Sequence, residues 1–336
     1  MLEIVGREET VSKARSAASH VRHALSNTLE GTVDADGSAP LSWQGLKEIA
    51  RAKGIVSIEF NVPMVSEGRL LPLKGGGFKV DILRSQASAR ARFSLAHEIG
   101  HTFFYDLTAR PATRRESAAS LAQELEERFC DEFAAQLLFP CDAVQRVFGG
   151  VPSLEEPCNL MRVVEATSRE WSVSVETVLR RLNECGSIKG DVGIFVLRDS
   201  PHFKTGRDPA LRVKAFFPRP SRGWFVPKNR RARSVGLDGA GVLYEHWLLD
   251  ARGGVNEGRR GSGVLSMTYE RGVPVVFENE KEPRRKCTET IEALRKPAPE
   301  QPWRRVLVEA DVVYRLYASS TFEAYVVAVA TLHQSR

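Results

Sequence analysis

Three features of the sequence predict an α+β protein built from more than one domain. Residues 77–83 alternate apolar and charged side chains, as a half-buried strand does, and stretches with helical spacing of apolar residues flank them. Residues 152–185 carry two short apolar helical faces separated by a turn. Beyond Gly186 the texture changes to short β-prone runs between Gly- and Pro-rich turns. The chain is 336 residues long, too long for one ordinary core. The expected division is an N-terminal domain over 1–150, a small helix-turn-helix-like module over 151–186, and a C-terminal mixed α/β or β-rich domain over 187–336.

A helix is expected from about Glu8 to Leu29, followed by a polar linker from Gly31 to Pro40 and a second helix around Trp43 to Lys53. Strands are expected at Ile55 to Phe60 and Gly77 to Leu83, with a turn-rich segment between them. Helical spacing then runs from Ala89 to Tyr105. A long acidic helix is expected from about Arg115 to Phe139, where Pro140 stops it. In the two-helix module Leu160, Val163, Val164 and Thr167 share one face; Val175, Val178, Leu179 and Leu182 repeat the spacing, with Ser174 as the N-cap. Later strands are expected at 193–197, 211–217, 263–269 and 275–278.

The first thirty residues place charges in every turn and lack the apolar core of a secretory signal. The longest apolar run, Ala324 to Leu332, is about half a membrane span. A soluble cytoplasmic protein is therefore expected. The five cysteines include no C-x-x-C pair, so they read as plain buried thiols in a reducing compartment. A net charge of +6 is modest for this length and argues for an ordinary solvated surface over a dedicated nucleic-acid binder.

The chemistry is concentrated in Phe93-Ser-Leu-Ala-His97-Glu98-Ile-Gly-His101. Residues four apart on a helix share a face, so the two imidazoles can converge on one cation, with Glu98 beside it as a general base that activates water. A catalytic zinc keeps three protein ligands and one open position, so a third ligand must come from elsewhere. The next acidic helix offers Glu127. Asp131, one turn on, can accept the Nδ1 proton of a ligand histidine and so fix its tautomer. Glu124, Glu126, Glu127, Asp131 and Glu132 also fit a solvated helix face, and spacing alone does not choose among them. Zinc is the expected ion; manganese or iron are alternatives at an N,O site of this kind.

The run Arg92-Phe93-Ser94-Leu95-Ala96-His97-Glu98-Ile99-Gly100-His101, then Glu127-x-x-Cys130-Asp131-x-Phe133-Ala134-Ala135 and Leu137-Leu138-Phe139-Pro140, resembles the ImmA/IrrE family of metallo-endopeptidases. The chain departs from that pattern at Cys130-Asp131, where the family usually has Ala-Asn. The resemblance implies a zincin-like, gluzincin-type peptidase domain with Glu127 as third zinc ligand and Glu98 as catalytic base. It also implies a helix-turn-helix repressor as the substrate, cut to release stress-response or mobile-element genes, and a C-terminal GAF-like sensor domain. In zincin-like folds a strand such as 77–83 can bind an extended substrate by adding it to the sheet. The alternative is a transcriptional regulator or signal-binding protein whose zinc is structural. Direct DNA binding by the two-helix module is disfavoured, because 151–185 carry six acids against four arginines. In the C-terminal part, 201–235 hold ten Lys or Arg against Asp208 alone, with Phe203, Phe216, Phe217, Trp224 and Phe225 interleaved; this reads as a solvated loop, with nucleic-acid contact by charge and stacking as the alternative.

Overall fold

A computed structural model describes residues 7–26, 39–83, 88–115, 123–149, 157–185, 192–199, 211–217, 224–241, 243, 275–277, 283–295, 301–318 and 324–332. The strand expected at 263–269 and most of the linker 31–40 lie outside these residues. The chain is α+β and divides into two compact units. One comprises Met1–Gly150 with Val164–Arg181; the other comprises Val151–Val163 with Leu182–Arg336.

The first unit opens with α1 (Arg7–Ser26) and α2 (Trp43–Ala52). Ser42 caps α2, its hydroxyl accepting from the Gly45 N–H at 2.9 Å. A three-stranded sheet follows: β1 (Ile55–Val62), β2 (Gly68–Pro72) and β3 (Phe78–Leu83), in the order β1-β3-β2. β3 runs parallel to β1 and antiparallel to β2. This corrects two expectations. The segment between the predicted strands contains a strand of its own, since Leu70 and Leu71 give it enough apolar character to pair. And β3 is central, with both sides hydrogen-bonded, so it has no edge to offer a substrate; among the described residues the edges are β1 and β2.

Phe78, Val80 and Ile82 are buried on one face of β3, and α3 (Ser88–His101) packs against the sheet. On the other face the pairing register lines up Glu59, Asp81 and Arg69 across three strands, and Lys79 joins them. Arg69 reaches Asp81 at 2.7 Å, and Lys79 reaches Glu59 at 2.7 Å and Asp81 at 3.1 Å. Such cross-strand pairs help pin the register of a sheet only three strands wide.

After α3 the chain makes a 3-10 turn (Thr102–Phe104) and a small ladder, β4 (Tyr105–Asp106) with β5 (Thr113–Arg114). The long acidic helix is α4 (Gln123–Leu138); it does not begin at Arg115, which extends from the β5 ladder instead. Pro140 ends it as expected, and α5 (Cys141–Gly149) starts directly afterwards. Phe129 and Phe133 of α4 are fully buried and meet Phe103 edge-on at 5.8 and 5.2 Å; Phe104 meets Phe129 at 5.2 Å. Burying each such ring contributes about 1.5–3 kcal/mol. α1 docks on α4 through Ala14, Ala18 and Val21, and its buried Arg22 donates to Leu137 O at 2.7 Å, satisfying a carbonyl that the helix end leaves open.

The two-helix module is α6 (Pro157–Glu170) and α7 (Val175–Glu184). Ser174 caps α7, accepting from the Thr177 N–H at 3.1 Å. The turn between the helices carries Trp171, which packs on Phe139 with ring centroids 4.9 Å apart. Arg181 is fully buried. Its guanidinium donates to Phe139 O (3.1 Å), to Glu132 (2.8 Å) and to Gln136.

The second unit is β-rich. Its sheet runs β7-β6-β12-β11-β10-β8, with β9 paired to β10, and every pairing is antiparallel. The strands are β6 (Val192–Asp199), β7 (Leu211–Phe217), β8 (Trp224–Phe225), β9 (Val275–Phe277), β10 (Pro283–Arg295), β11 (Arg304–Ala318) and β12 (Ala324–Leu332). Phe195, Val213, Ile291, Val312, Tyr314 and Ala328 form part of one core on this sheet. Part of the basic stretch 201–235 is thus strand and core.

The expectation of five plain thiols is corrected. Cys141 is in a disulfide, and so is Cys185, whereas Cys130 and Cys287 are free. Spacing in sequence says little about which cysteines a fold brings within bonding distance. Among the described residues no helix is long and apolar enough to cross a membrane.

Candidate metal centre

α3 presents His97 and His101 one turn apart on the face toward α4. Their Nε2 atoms are 3.2 Å apart. Glu127 on α4 brings Oε2 to 3.3 Å from His97 Nε2 and Oε1 to 3.8 Å from His101 Nε2. A tetrahedron centred on zinc, with bonds of about 2.0–2.1 Å to nitrogen and oxygen, has edges of about 3.3 Å. The two Nε2 atoms and the Glu127 carboxylate therefore stand near the separations that one such ion demands, and the donor set of two imidazoles and a carboxylate suits it.

α3 and α4 reach this spacing because Gly100 lies against α4. A Cβ there would come 3.0 Å from Cys130 Cα and 3.2 Å from its sulfur, so any side chain would push the helices apart. Cys130 Sγ joins His97 and His101 in a group whose ligand atoms all lie within 4.8 Å of one another. It is a second candidate for third ligand, which sequence reasoning set aside. Its thiol is held well above the usual range, first by burial and then by Glu126, Glu127, Glu98 and Asp131, so its proton is costly to remove. Glu127 meets the histidines as a carboxylate whose pKa is lowered first by its hydrogen bond to His97.

The electrostatics also favour a cation. Burial pulls the pKa of His97 down, but hydrogen bonds to Asp131 and Glu127 and the charges of Asp131 and Glu98 outweigh it and raise it to about 9. Carboxylates that hold a proton on imidazole this strongly create a negative potential where a metal ion belongs. Asp131 Oδ1 lies 3.0 Å from His97 Nδ1, the position expected of a carboxylate behind a ligand histidine.

Glu98 is 6% exposed, and its carboxyl reaches Gly68 of β2. Gly68 makes room for it: a Cβ at that position would stand 2.6 Å from Glu98 Oε1. Burial raises the pKa of Glu98, partly offset by the charges of His101 and His97 and by a hydrogen bond from the Leu70 N–H. The buried carboxyl is thus tethered to the strand at the sheet edge.

The acidic face of α4 is not uniformly solvated. Glu126 is 4% exposed, with Oε1 2.8 Å from His101 Nδ1 and Oε2 on Arg114; Glu132 is 8% exposed and shared by Arg15 and Arg181. Sequence reasoning did not single out Glu126. The available signal was its place beside Glu127, which turns it toward the flank of the same histidine pair.

Histidines at i and i+4 on a helix, a buried glutamate between them and a carboxylate from the following helix define a metallopeptidase-like centre. Residues 82–183 match the peptidase M78 family model, described as the IrrE N-terminal-like domain. The chain thus carries a metallopeptidase domain of the ImmA/IrrE type, and the matched stretch runs from the end of β3 through α7. No curated protein matches the chain.

Proposed function

We propose that the chain is a zinc-dependent, site-specific endopeptidase in which His97, His101 and Glu127 hold the ion and Glu98 is the general base. The observation that carries this reading is the meeting of two Nε2 atoms and one carboxylate at 3.2 to 3.8 Å. A bound zinc ion supplies Lewis acidity for a peptide carbonyl and lowers the pKa of water toward 7. Glu98 takes the proton of the attacking water and returns it to the amine nitrogen as the C–N bond breaks, so one water is consumed per bond cut. Its raised proton affinity suits both halves of that cycle, since a fully solvated carboxylate would hold the proton too weakly to deliver it.

The zincin-like arrangement points to β2 as the substrate edge, in place of the central strand. An extended peptide added there lies next to the carboxyl that Leu70 tethers. Such binding selects flexible or unfolded segments. The substrate class we favour is a helix-turn-helix repressor whose cleavage releases stress-response or mobile-element genes, and the C-terminal β-rich unit is then a GAF-like signal sensor. The two-helix module serves packing in this reading, because Arg181 and Trp171 are spent on the peptidase unit's interior.

The test incubates the zinc-loaded protein with purified helix-turn-helix repressors. The expected result is one discrete cut in one of them, abolished by a chelator and by Glu98→Gln. Stoichiometric zinc without cleavage of any repressor or of an unfolded protein would overturn the peptidase reading in favour of a structural metal site.

A further inference from the structure

Each ligand histidine is backed by a carboxylate on α4, but the two pairs are built differently. Asp131, behind His97, has a side chain 50% exposed. Glu126, behind His101, is almost wholly buried, and both of its oxygens are engaged: Oε1 stands 2.8 Å from His101 Nδ1, and Oε2 receives Arg114. Arg114 arrives from β5, opposite Tyr105 in the β4–β5 ladder. That ladder is fastened to the end of the α3 segment: the Arg115 N–H donates to Phe104 O at 3.0 Å, and Arg115 Nε donates to Tyr105 O at 2.9 Å. The chain leaves His101, turns, and returns thirteen residues later with the cation that clamps Glu126.

We infer that Glu126 and Arg114 are positioning residues of the metal centre: Glu126 fixes the tautomer and orientation of His101, and Arg114 holds Glu126. The inference rests on the metal site proposed above and adds two residues to it. A neutral imidazole has one N–H. With Nδ1 facing a carboxylate, that hydrogen resides on Nδ1, which leaves the Nε2 lone pair aimed at the point where His97 and Glu127 converge. A carboxylate in water reorients freely, whereas one that is buried and clamped on its far oxygen does not. The hydrogen bond to Glu126 therefore acts in a drier setting than the hydrogen bond to Asp131, and its loss has the larger effect.

The alternative is a buried ion pair that serves only stability. Zinc affinity of the full-length protein, measured by competition with a chromogenic chelator, separates the two, together with the visible d–d absorption of the cobalt-loaded form. Glu126→Gln keeps the shape and removes the charge; it is expected to weaken zinc about 10- to 100-fold and to alter the cobalt spectrum. Asp131→Asn is expected to weaken zinc less. Arg114→Gln is expected to weaken zinc several-fold, with most of the loss restored in Arg114→Lys. Should Glu126→Gln fail to fold by circular dichroism, the Arg114 pair decides by the same criterion. Zinc affinity within about twofold of wild type and an unchanged cobalt spectrum in the folded variants overturn the inference. His97→Ala serves as the reference: if zinc binding survives that change, the metal site itself is refuted, a result distinct from failure of the Glu126 variants alone.

Discussion

Gly68→Ala is a sharp probe of the proposed general base, because it perturbs Glu98 without touching a metal ligand. The added Cβ would lie 2.6 Å from Glu98 Oε1, 3.1 Å from Cγ and 3.2 Å from Cδ, whereas ordinary contact begins at 3.4 Å. The carboxylate must therefore retreat by about 0.8 Å, giving up its seat against the Leu70 N–H. What must move is the end of a flexible side chain, so the fold is little affected. A catalytic group misplaced by about 1 Å loses about 10²-fold in rate. The expected outcome is a kcat/KM for repressor cleavage about 30- to 100-fold below wild type, with zinc content unchanged and a thermal midpoint within about 2 °C. Glu98→Gln measured in parallel sets the floor. Cleavage by Gly68→Ala at the wild-type rate, with Glu98→Gln inactive, would refute the idea that Glu98 works from its place under β2.

Three further outcomes follow from the packing. Arg181→Met strands the acceptors that its buried guanidinium serves, and because Glu132 keeps Arg15 the cost falls at the lower end of the range for broken buried pairs, about 3 kcal/mol; urea unfolding followed by tryptophan fluorescence checks it, and a loss below about 1 kcal/mol contradicts it. Ser174→Ala removes the cap of α7 and should cost about 1 kcal/mol in the same assay, with no change in zinc binding. The Asp81 carboxyl is held below its usual pKa, first by the hydrogen bond from Arg69, against burial, which raises it. A depressed carboxylate pKa contributes stability above the unfolded-state value of about 4, and that contribution drains away as the pH falls through the folded value. The stability difference between wild type and Asp81→Asn should accordingly be larger at pH 7 than at pH 3, and equal differences at both would be inconsistent with the pairing.

What the sequence made legible was mostly local. The alternation of β3, the helical spacing of α3, the stop at Pro140 and the Ser174 cap depend on neighbours within a few residues, and each is present in the structure. The fates of the acids on α4 were not legible, because long-range partners decide them. Arg15 and Arg181 bury Glu132 from 117 and 49 residues away, and Arg114 with His101 buries Glu126. β2 was hidden for a related reason: its short stretch between bends pairs because β3 is beside it. The long strands β10 and β11 carry charges on their outward positions, which masked a period-two pattern that their inward Ile291, Ala310, Val312 and Tyr314 complete.

The most direct measurement is the metal content of the purified protein and of the His97→Ala/His101→Ala double variant, each dialysed against trace zinc. About one zinc per chain is expected in the wild type and none in the folded double variant. Zinc retained at the wild-type level without the two imidazoles would contradict the proposed metal site.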